Sequence, residues 1–600
     1  MRERSHARPG PAPTPAGAPA RGPEGTSCII GFGARRVKDL RVWGVANSLP
    51  LQRLSGTMVL MRSVRFVLVV ASVLVLSAIA GGIFGRGAAS SQERLPEQYR
   101  AFTAAVRLVE TSYVEKTESD RVVYGAISGM LQTLDPHSSF LDPRTYGQMR
   151  ERQQGRYYGL GITIQVIDGD ITAVSLFEGS PAYRKGVRRG DVIARIDGED
   201  AKGWTSEQAA RRLRGPKGTT VRVSLRRRGY DQLIELDVPR DEINIPTIAA
   251  AVMIDQTTAY IRLQDFAEQT GNDLSAALKR LSAKGMRRLL LDLRGNPGGP
   301  LDQAIRVSNE FLQQGQMIVY TRGRVPNSDQ DYRATERGAY TELPLVVLAN
   351  RNSASASEIV SGALQDHDRA VIVGETTFGK ALVQSVYRIS EGAALALTTA
   401  RYYTPSGRMI QRPWDGAFDE YLTYTARTQN APREHAAADL KYTDAGRKVY
   451  GGGGIEPDHR LEGPVEGFNP GRFARGLFAR QAFASFAQKF SAVGDTRIAV
   501  EARDRKFVAK DFTVDAAMLE AFREHLTADG VKIDEEAYAK DLAFITAMIR
   551  YEIDLNLWTV EDARRHLITT DPQAQLALTC FEEAERLVQA ARGRASRGNH

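Results

Sequence analysis

The chain has 600 residues and is therefore too long for a single hydrophobic core, while its 42% hydrophobic and 25% charged content is ordinary for a globular protein. The net charge of +9 is uneven, because residues 1–57 hold nine Lys or Arg and three Asp or Glu. The near-neutral remainder excludes a broadly basic nucleic-acid-binding body. Two cysteines far apart, Cys28 and Cys580, provide neither a disulfide framework nor a metal-ligand spacing.

The N-terminal region predicts a segment that directs the chain to a membrane. Residues 1–60 are rich in Pro, Ala, Gly and Arg without periodicity, which predicts disorder, and a translation start at Met58 or Met61 would make them an artefact of start-site choice. Residues 61–86 begin with basic residues and continue with the apolar run 66–80, which ends in a small-x-small pattern typical of a signal-peptide cleavage site. They are predicted to be either a cleaved signal peptide or an uncleaved membrane anchor.

Two further regions precede the largest domain. Residues 92–150 are predicted to be helical, because apolar residues recur at helical spacing as far as Leu134, before the helix breaker Pro136. Residues 157–240 are predicted to form short strands and two helices, which is the pattern of a compact α+β module.

The fold class that follows is multidomain α/β, with a layered α/β core, the inserted α+β module, and helical N- and C-terminal segments. Residues 241–460 alternate strands, such as 289–293 and 345–348, with helices, which predicts much parallel sheet. The glycines at 451–454 predict a flexible break. Residues 465–600 predict a helical C-terminal extension, and composition leaves open whether it packs on the core, dimerises or binds a partner.

A serine and a lysine in the α/β region suggest a hydrolase that needs no catalytic histidine. Ser355 follows the strand-like run 345–348 at the start of a predicted helix, and Lys380 lies further along among apolar residues. A serine hydroxyl needs a base to become a nucleophile, and a buried lysine with a lowered pKa can be that base. The alternative is that Ser353, Ser355 and Ser357 only cap the helix, with Lys380 on a surface loop.

Eight short motifs follow one another in this chain: Leu134–Ser138, Gly159–Ile162, Gly179–Ala182, Gly190–Ile193, Leu291–Gly299, Ser353–Glu358, Thr377–Lys380 and Ala400–Gly407. With these motifs the chain resembles the carboxy-terminal processing (tail-specific) proteases, which are serine peptidases with an inserted PDZ domain. The resemblance covers about residues 95–460, and the C-terminal extension lies outside the common core of the family.

The resemblance implies a catalytic role for three side chains. It makes Ser355 the nucleophile, Lys380 the general base, and Gln384 the third member, whose amide orients the lysine or hydrogen-bonds to it. Glu358 is similar to a family position near the nucleophile and is a supporting residue only.

The resemblance also implies where an oxyanion would be bound. It places one donor at the backbone N–H of Ala356 and another in the turn at Gly298 and Gly299, and the sequence does not choose between the two glycines.

The α+β module is a PDZ domain by this resemblance. Its predicted peptide-binding loop consists of Gly159, Leu160, Gly161 and Ile162. Their backbone N–H groups would bind a C-terminal carboxylate, and the adjacent sheet edge would accept the peptide as an added strand.

Two histidines offer alternatives to the lysine mechanism. His367 lies between Asp366 and Asp368 and suggests a Ser-His-Asp triad, but its place near the end of the same predicted helix favours a surface residue at a helix terminus. His137 is assigned to a structural turn. The eight histidines show no metal-ligand spacing.

The sequence thus predicts an exported serine endopeptidase that recognises exposed apolar C-termini and forms an acyl-enzyme, with no metal or organic cofactor. Its expected location is the periplasm or the outer face of the cytoplasmic membrane. Expected partners are protein substrates, the membrane through the N-terminal segment, and a second copy or an adaptor, but no nucleic acid. The alternatives are a catalytically silent PDZ scaffold and a protein that binds a lipid or acyl ligand.

Overall fold

The computed structural model describes Ser72 and residues 96–227, 230–389, 392–414, 421, 423–426, 435–463, 470–492 and 509–597. The segments predicted to be disordered (1–60) and to be a signal or anchor (61–86) lie outside the described residues, apart from Ser72. None of the helices in the described ranges is long and apolar enough to cross a membrane.

The bounds of the regular elements are as follows. The helices are α1 at 96–112, α2 Ser119–Gln132, α3 Pro143–Gln154, α4 Pro181–Arg184, α5 Ser206–Leu213, α6 Thr270–Ala283, α7 Leu301–Asn309, α8 Ala356–Asp366, α9 Arg472–Ala479, α10 Ala482–Ala492, α11 Ala516–Ala528, α12 Glu535–Lys540, α13 Leu542–Leu557, α14 Val560–Thr570, α15 Pro572–Thr579 and α16 Phe581–Arg597. The strands are β1 Ser139–Leu141, β2 Arg156–Gly159, β3 Ile162–Ile167, β4 Asp170–Leu176, β5 Val192–Ile196, β6 Glu199–Asp200, β7 Thr220–Arg226, β8 Ile234–Pro239, β9 Asp241–Asn244, β10 Ile248–Met253, β11 Thr258–Leu263, β12 Arg288–Asp292, β13 Met317–Gly323, β14 Gln330–Arg333, β15 Leu345–Ala349, β16 Val371–Gly374, β17 Leu382–Arg388, β18 Ala394–Tyr403, β19 Leu440–Tyr442, β20 Lys448–Tyr450 and β21 His459–Arg460.

The predicted α+β module forms its own sheet and core. Its strands are ordered β3-β4-β5-β7-β8, with β6 paired to β5, so that β3 is an edge strand. Alternate residues of these strands, such as Ile171, Ile193 and Val221, are buried in one cluster together with residues of α4 and α5. The chain enters the module through β2 and leaves it through β9, and these two strands pair antiparallel.

A six-stranded sheet forms the centre of the next domain. Its order is β10-β11-β12-β15-β16-β21, and all pairs except β10 with β11 are parallel. This confirms the layered α/β core and the parallel sheet predicted from the alternation of strands and helices. A separate antiparallel sheet is ordered β1-β18-β13-β14, with β17 also paired to β18.

Different parts of the chain cover the two faces of the six-stranded sheet. Leu289 and Leu291 of β12 face a core cluster that includes residues of α6, α7 and α8. Leu290, between them, faces the opposite side, where it shares a cluster with Ile568 of α14 and Phe581 of α16. The end of the C-terminal extension therefore packs on the core, which answers one question that composition left open.

The remaining helices of the extension form a second cluster that contacts the PDZ-like module. Phe483, Phe522 and Ile549 belong to this cluster. At its edge the Gln488 amide donates to the Arg189 carbonyl at 2.6 Å, and the Arg189 guanidinium pairs with the almost fully buried Glu552 carboxylate. The extension thus contacts both the sheet and the module.

The glycines at 451–454 are not a flexible break, and that prediction was wrong. The Gly452 and Gly454 N–H groups donate to the carbonyls of Met409 and Ile410 at 2.7 and 2.8 Å. Gly454 has φ +101°, and a Cβ there would lie 2.4 Å from the Thr377 carbonyl oxygen. Close approach to the loop before Lys380 requires glycine at 454, so this run packs against the site instead of separating domains.

Candidate active site

Three serines at the turn between β15 and α8 have different surroundings. The Ser353 hydroxyl donates to the Leu293 carbonyl at 2.9 Å, and the Ser357 hydroxyl donates to the Asn296 carbonyl at 2.9 Å. Both of these serines are fully buried, whereas Ser355 is partly exposed. Ser353 and Ser357 therefore join this turn to the neighbouring one after β12, and Ser355 is the serine that a substrate can reach.

The backbone at Ser355 is bent into an uncommon conformation. Its φ of +53° lies in a region that costs a non-glycine residue on the order of 1–3 kcal/mol. The Ser355 carbonyl accepts hydrogen bonds from the N–H groups of Glu358 and Ile359 at 2.9 and 3.0 Å. The first turn of α8 therefore offsets the cost and fixes the position of Ser355.

A buried carboxylate connects Ser355 to Lys380. Glu358 accepts hydrogen bonds from the N–H groups of Ser355, Lys380 and Gly379 at 2.8, 2.9 and 2.7 Å, and from the Thr377 hydroxyl at 2.5 Å. Burial raises the pKa of Glu358, and the four donors oppose that shift by stabilising the ionised form. The carboxylate holds the backbones of both residues against one side chain.

The Lys380 side chain lies in surroundings that favour its neutral form. Burial lowers the pKa of Lys380, and the negative charges of Glu358 and Asp135 partly oppose this. The Tyr402 hydroxyl contacts the Lys380 carbonyl and also lies 3.2 Å from the Ser355 carbonyl. Burial favours the protonation state that a general base needs.

Gln384 lies at a β-bulge in β17, four residues after Lys380. Its amide donates to the Thr398 hydroxyl at 3.3 Å. The Thr398 N–H donates to the Ser138 hydroxyl at 3.1 Å, which donates to the Asp135 carboxylate at 2.6 Å. Gln384 is thereby connected to the turn at Asp135, and no hydrogen bond joins it to Lys380 within the described part of the chain.

His137 contributes more than a structural turn, so its assignment to a turn alone was incomplete. The backbone N–H of His137 donates to the Asp135 carboxylate, as a turn requires. The imidazole ring, however, packs edge-on to Phe378, and its Nε2 lies 2.5 Å from the Tyr421 hydroxyl. Burial and the nearby charge of Lys380 lower the pKa of His137 to about 4. The sequence signal was the position of this turn in the first of the eight motifs.

The two glycines after β12 differ in their contacts. A Cβ at Gly298 would lie 2.6 Å from the Ala354 carbonyl oxygen and 2.7 Å from the Ala356 nitrogen, so Gly298 touches the backbone around Ser355. Its N–H donates to the Asn296 side chain at 2.9 Å. Gly299 is exposed, and across the described ranges neither its N–H nor that of Ala356 has a hydrogen-bond partner.

His367 lies at the opposite end of α8 from Ser355. The helix has 11 residues, which separates its ends by about 16 Å. The His367 ring nitrogens lie 2.8 Å from the Asp444 carboxylate and 2.7 Å from the Met317 carbonyl. The side chain is only 8% exposed, so the prediction of a surface histidine was wrong, whereas its position at the helix terminus is as predicted.

The predicted peptide-binding loop lies between β2 and β3. The Leu160 and Gly161 carbonyls accept hydrogen bonds from the N–H groups of Ala182 and Phe177, each at 3.0 Å. Gly161 has φ +77°, and a Cβ there would lie 2.3 Å from that of Ser180. The loop, with Gly159 at the end of β2 and Ile162 at the start of β3, is therefore held against the start of α4.

Comparison with family models identifies three parts of the chain. Residues 257–416 match Peptidase family S41, residues 148–226 match the PDZ domain, and residues 83–145 match the Activating protease CtpB N-terminal domain. A solved photosystem II D1 C-terminal processing protease is 28% identical, with 61% of this chain and 93% of that chain covered and a TM-score of 0.32.

Curated relatives extend the match. The carboxy-terminal-processing protease of Bartonella bacilliformis is 41% identical over 326 residues, which are 54% of this chain and 74% of that protein. The carboxy-terminal processing protease CtpA of Bacillus subtilis is 34% identical over 346 residues, which are 57% of this chain and 73% of that protein. The fold and these matches define a PDZ-containing peptidase. The chain belongs to the carboxy-terminal processing protease family.

Proposed function

We propose that the chain is a serine endopeptidase in which Ser355 is the nucleophile and Lys380 is the general base. The observation that carries this proposal is the Glu358 carboxylate, which accepts hydrogen bonds from the N–H groups of both residues at 2.8 and 2.9 Å. A single buried side chain thus sets the positions of the two residues, and positioning of this kind is a large part of catalysis.

The chemistry follows from these positions. Neutral Lys380 takes the Ser355 hydroxyl proton as the oxygen attacks the carbonyl carbon of the scissile peptide bond. The tetrahedral intermediate collapses when the Lys380 ammonium returns that proton to the leaving amine, which leaves an ester on Ser355. A water molecule, deprotonated by Lys380, then hydrolyses the ester and regenerates the hydroxyl.

The oxyanion of the intermediate would be bound by Ala356 and Gly299. Both N–H groups lack a partner among the described residues, and Ala356 is the first residue of α8, where such N–H groups are unused by the helix. The Gly298 N–H is already bound to Asn296, which favours Gly299 as the second donor and Gly298 as the close contact that brings the turns together.

Gln384 would act on the surroundings of Lys380 instead of on the lysine directly. Its amide anchors Thr398, which is linked through Ser138 to Asp135, one of the two carboxylates whose charge acts on Lys380. We expect Gln384 to keep that carboxylate in place.

Substrate tails would bind to the PDZ domain. The loop Gly159, Leu160, Gly161 and Ile162 precedes the edge strand β3, and α5 lies beside that strand. An extended peptide would add to β3 as a strand, with its carboxylate at the loop and an apolar terminal side chain between β3 and α5.

The proposed location is outside the cytoplasm. The apolar run at residues 66–80 after a basic start supports export to the periplasm or to the outer face of the cytoplasmic membrane. Fractionation of cells that produce the chain, with and without residues 61–86, tests this, and retention of both forms in the cytoplasm would contradict it.

The experiment that tests the function uses an unfolded protein substrate with either an apolar or an Asp-Asp C-terminus. Purified wild type should cleave the first substrate much faster than the second. Ser355→Ala and Lys380→Ala should each lower kcat on the order of 10³-fold or more. Ser361→Ala, on the same helix, and Lys284→Ala, at an exposed position, are the matched controls and should remain active.

The outcomes separate the alternatives. Cleavage that survives Ser355→Ala contradicts the proposed nucleophile, and cleavage that survives Lys380→Ala contradicts the proposed base. Tail binding without cleavage by any form would identify a silent PDZ scaffold.

A further inference from the structure

The turn that carries Gly298 and Gly299 begins in a group of buried charges. Asp292, at the end of β12, accepts hydrogen bonds from the Tyr260 hydroxyl at 2.8 Å and from the Arg262 guanidinium at 3.0 Å. The Arg294 guanidinium binds the same carboxylate through two nitrogens, at 3.0 and 2.8 Å. Two cations therefore face one anion at the start of this turn.

The C-terminal extension supplies the missing negative charge. The Asp571 carboxylate lies 2.6 Å from the Arg294 guanidinium and is 11% exposed. The Gln573 side-chain oxygen accepts from another nitrogen of the same guanidinium at 2.9 Å. With Asp571 the group holds two anions and two cations, and without it one buried cation would lack compensation.

The two oxygens of Asp571 have separate partners. Its Oδ1 accepts from the N–H groups of Gln573 and Ala574, at 3.0 and 3.3 Å, and so caps α15. Its Oδ2 contacts Arg294. None of the three matched family models extends past residue 416, so this contact joins a segment outside them to a turn inside the matched peptidase region.

We propose that Asp571 is a positioning residue of the peptidase, which holds Arg294 and thereby the turn from Asp292 to Gly299 in its active geometry. This inference rests on the proposed function, because the turn matters for rate only if it carries an oxyanion donor. The Asp571 carboxylate contacts Arg294 and the N–H groups of Gln573 and Ala574. It acts through Arg294, so its loss should lower kcat and leave tail binding unchanged.

The variant Asp571→Ser separates the two roles, because serine also caps helices but cannot pair with Arg294. In the full chain we expect kcat to fall about 10-fold, with KM and the affinity of the PDZ domain for a tail peptide within twofold of wild type. Asp515→Ser removes the exposed cap carboxylate of α11, which accepts from the Met518 N–H and has no ion pair with Arg294, and should leave kcat unchanged.

A second variant moves the charge instead of removing it. Asp571→Ser with Gln573→Glu places a carboxylate at the other nitrogen of the Arg294 guanidinium. Part of the lost kcat should return, because the new charge compensates Arg294 although the hydrogen bond from the Gln573 amide to the Leu461 carbonyl is lost. A capping role alone predicts no such recovery. If Asp571→Ser does not fold, Asp571→Asn takes its place, since it keeps both the cap oxygen and the volume.

The inference is overturned if a folded Asp571→Ser or Asp571→Asn protein keeps kcat within twofold of wild type. It is also overturned if the relocated carboxylate restores the melting temperature without restoring kcat. The proposed function fails separately, when Ser355→Ala cleaves as fast as wild type, whatever the Asp571 variants do.

Discussion

Glu358, in the first turn of α8, and Asp292, at the end of β12, are two fully buried carboxylates, and the chain compensates their charges differently. Glu358 is bound by three backbone N–H groups and one hydroxyl, all uncharged. Asp292 is bound by Arg262 and Arg294. Burial therefore prevails at Glu358 and raises its pKa, whereas at Asp292 burial is outweighed by the guanidiniums, which hold the pKa well below its usual range.

The difference indicates that the two carboxylates have different roles. Glu358 accepts from the N–H groups of Ser355 and Lys380 and therefore holds the reacting residues in place. Asp292 pairs with Arg262 and Arg294 and therefore mainly stabilises the turn that follows β12. The two carboxylates should therefore respond differently to the same isosteric change.

The largest effect is expected for Glu358→Gln. An amide cannot accept four hydrogen bonds, so the N–H groups of Ser355 and Lys380 lose a shared partner and the two residues shift. We expect kcat to fall at least about 100-fold, because small displacements of reacting groups have effects of that size. Steady-state kinetics measure this, and an unchanged kcat in a folded variant would contradict this role of Glu358.

Asp292→Asn should instead lower stability most. It leaves the Arg262 and Arg294 guanidiniums buried with reduced compensation, and breaking such a pair costs about 3–5 kcal/mol. That cost is measured as the change in the free energy of unfolding, from urea titrations and from hydrogen-exchange protection of the amides in β12 and β15. A loss below about 1 kcal/mol would mean that the charged group does not support the turn.

The pH dependence of the two stability losses should differ between pH 5 and 8. A lowered carboxyl pKa stabilises the fold throughout the range above the unfolded value of about 4, so the Asp292→Asn deficit should be constant there. The raised pKa of Glu358 means that the folded chain binds more protons than the unfolded chain as this group titrates. The free energy of unfolding of the wild type therefore falls as pH rises. The stability difference between wild type and Glu358→Gln should become smaller with rising pH. The unfolding midpoints of wild type, Asp292→Asn and Glu358→Gln, measured between pH 5 and 8, test this. The same pH dependence of the stability loss in both variants would contradict the different roles of the two carboxylates.

The smallest effect is expected at Asp135, which acts on Lys380 only through its charge. That charge raises the pKa of Lys380 against the larger effect of burial, so Asp135→Asn should move the rise of kcat/KM to lower pH. Asp231→Asn, at an exposed position of the PDZ domain, is the control. A pH profile that does not move would show that Asp135 serves only its turn.

Local patterns were sufficient to predict much of the fold. The apolar runs at 289–293 and 345–348 predicted β12 and β15 to within one residue at each end, because strands buried on both faces are continuously apolar. The three serines at 353, 355 and 357 were not separable by sequence, since each can cap a helix. Only the burial of Ser353 and Ser357 against neighbouring carbonyls distinguishes them from Ser355.

Contacts between distant segments were beyond that reasoning. Nothing local in Asp571 marks it as a partner of Arg294, because a helix-capping aspartate looks the same in either role. The glycines at 451–454 were misread for a related reason. Their composition reports backbone freedom, but it does not report the Thr377 carbonyl that requires glycine at 454.

The roles of Ser355 and Lys380 can be tested by measuring the mass of the protein after reaction with a serine-directed fluorophosphonate at a series of pH values. We expect one adduct on Ser355, formed faster as pH rises through the lowered pKa of Lys380, and very slow labelling of Lys380→Ala at every pH. Labelling of another serine, or equal rates for wild type and Lys380→Ala, would contradict these roles.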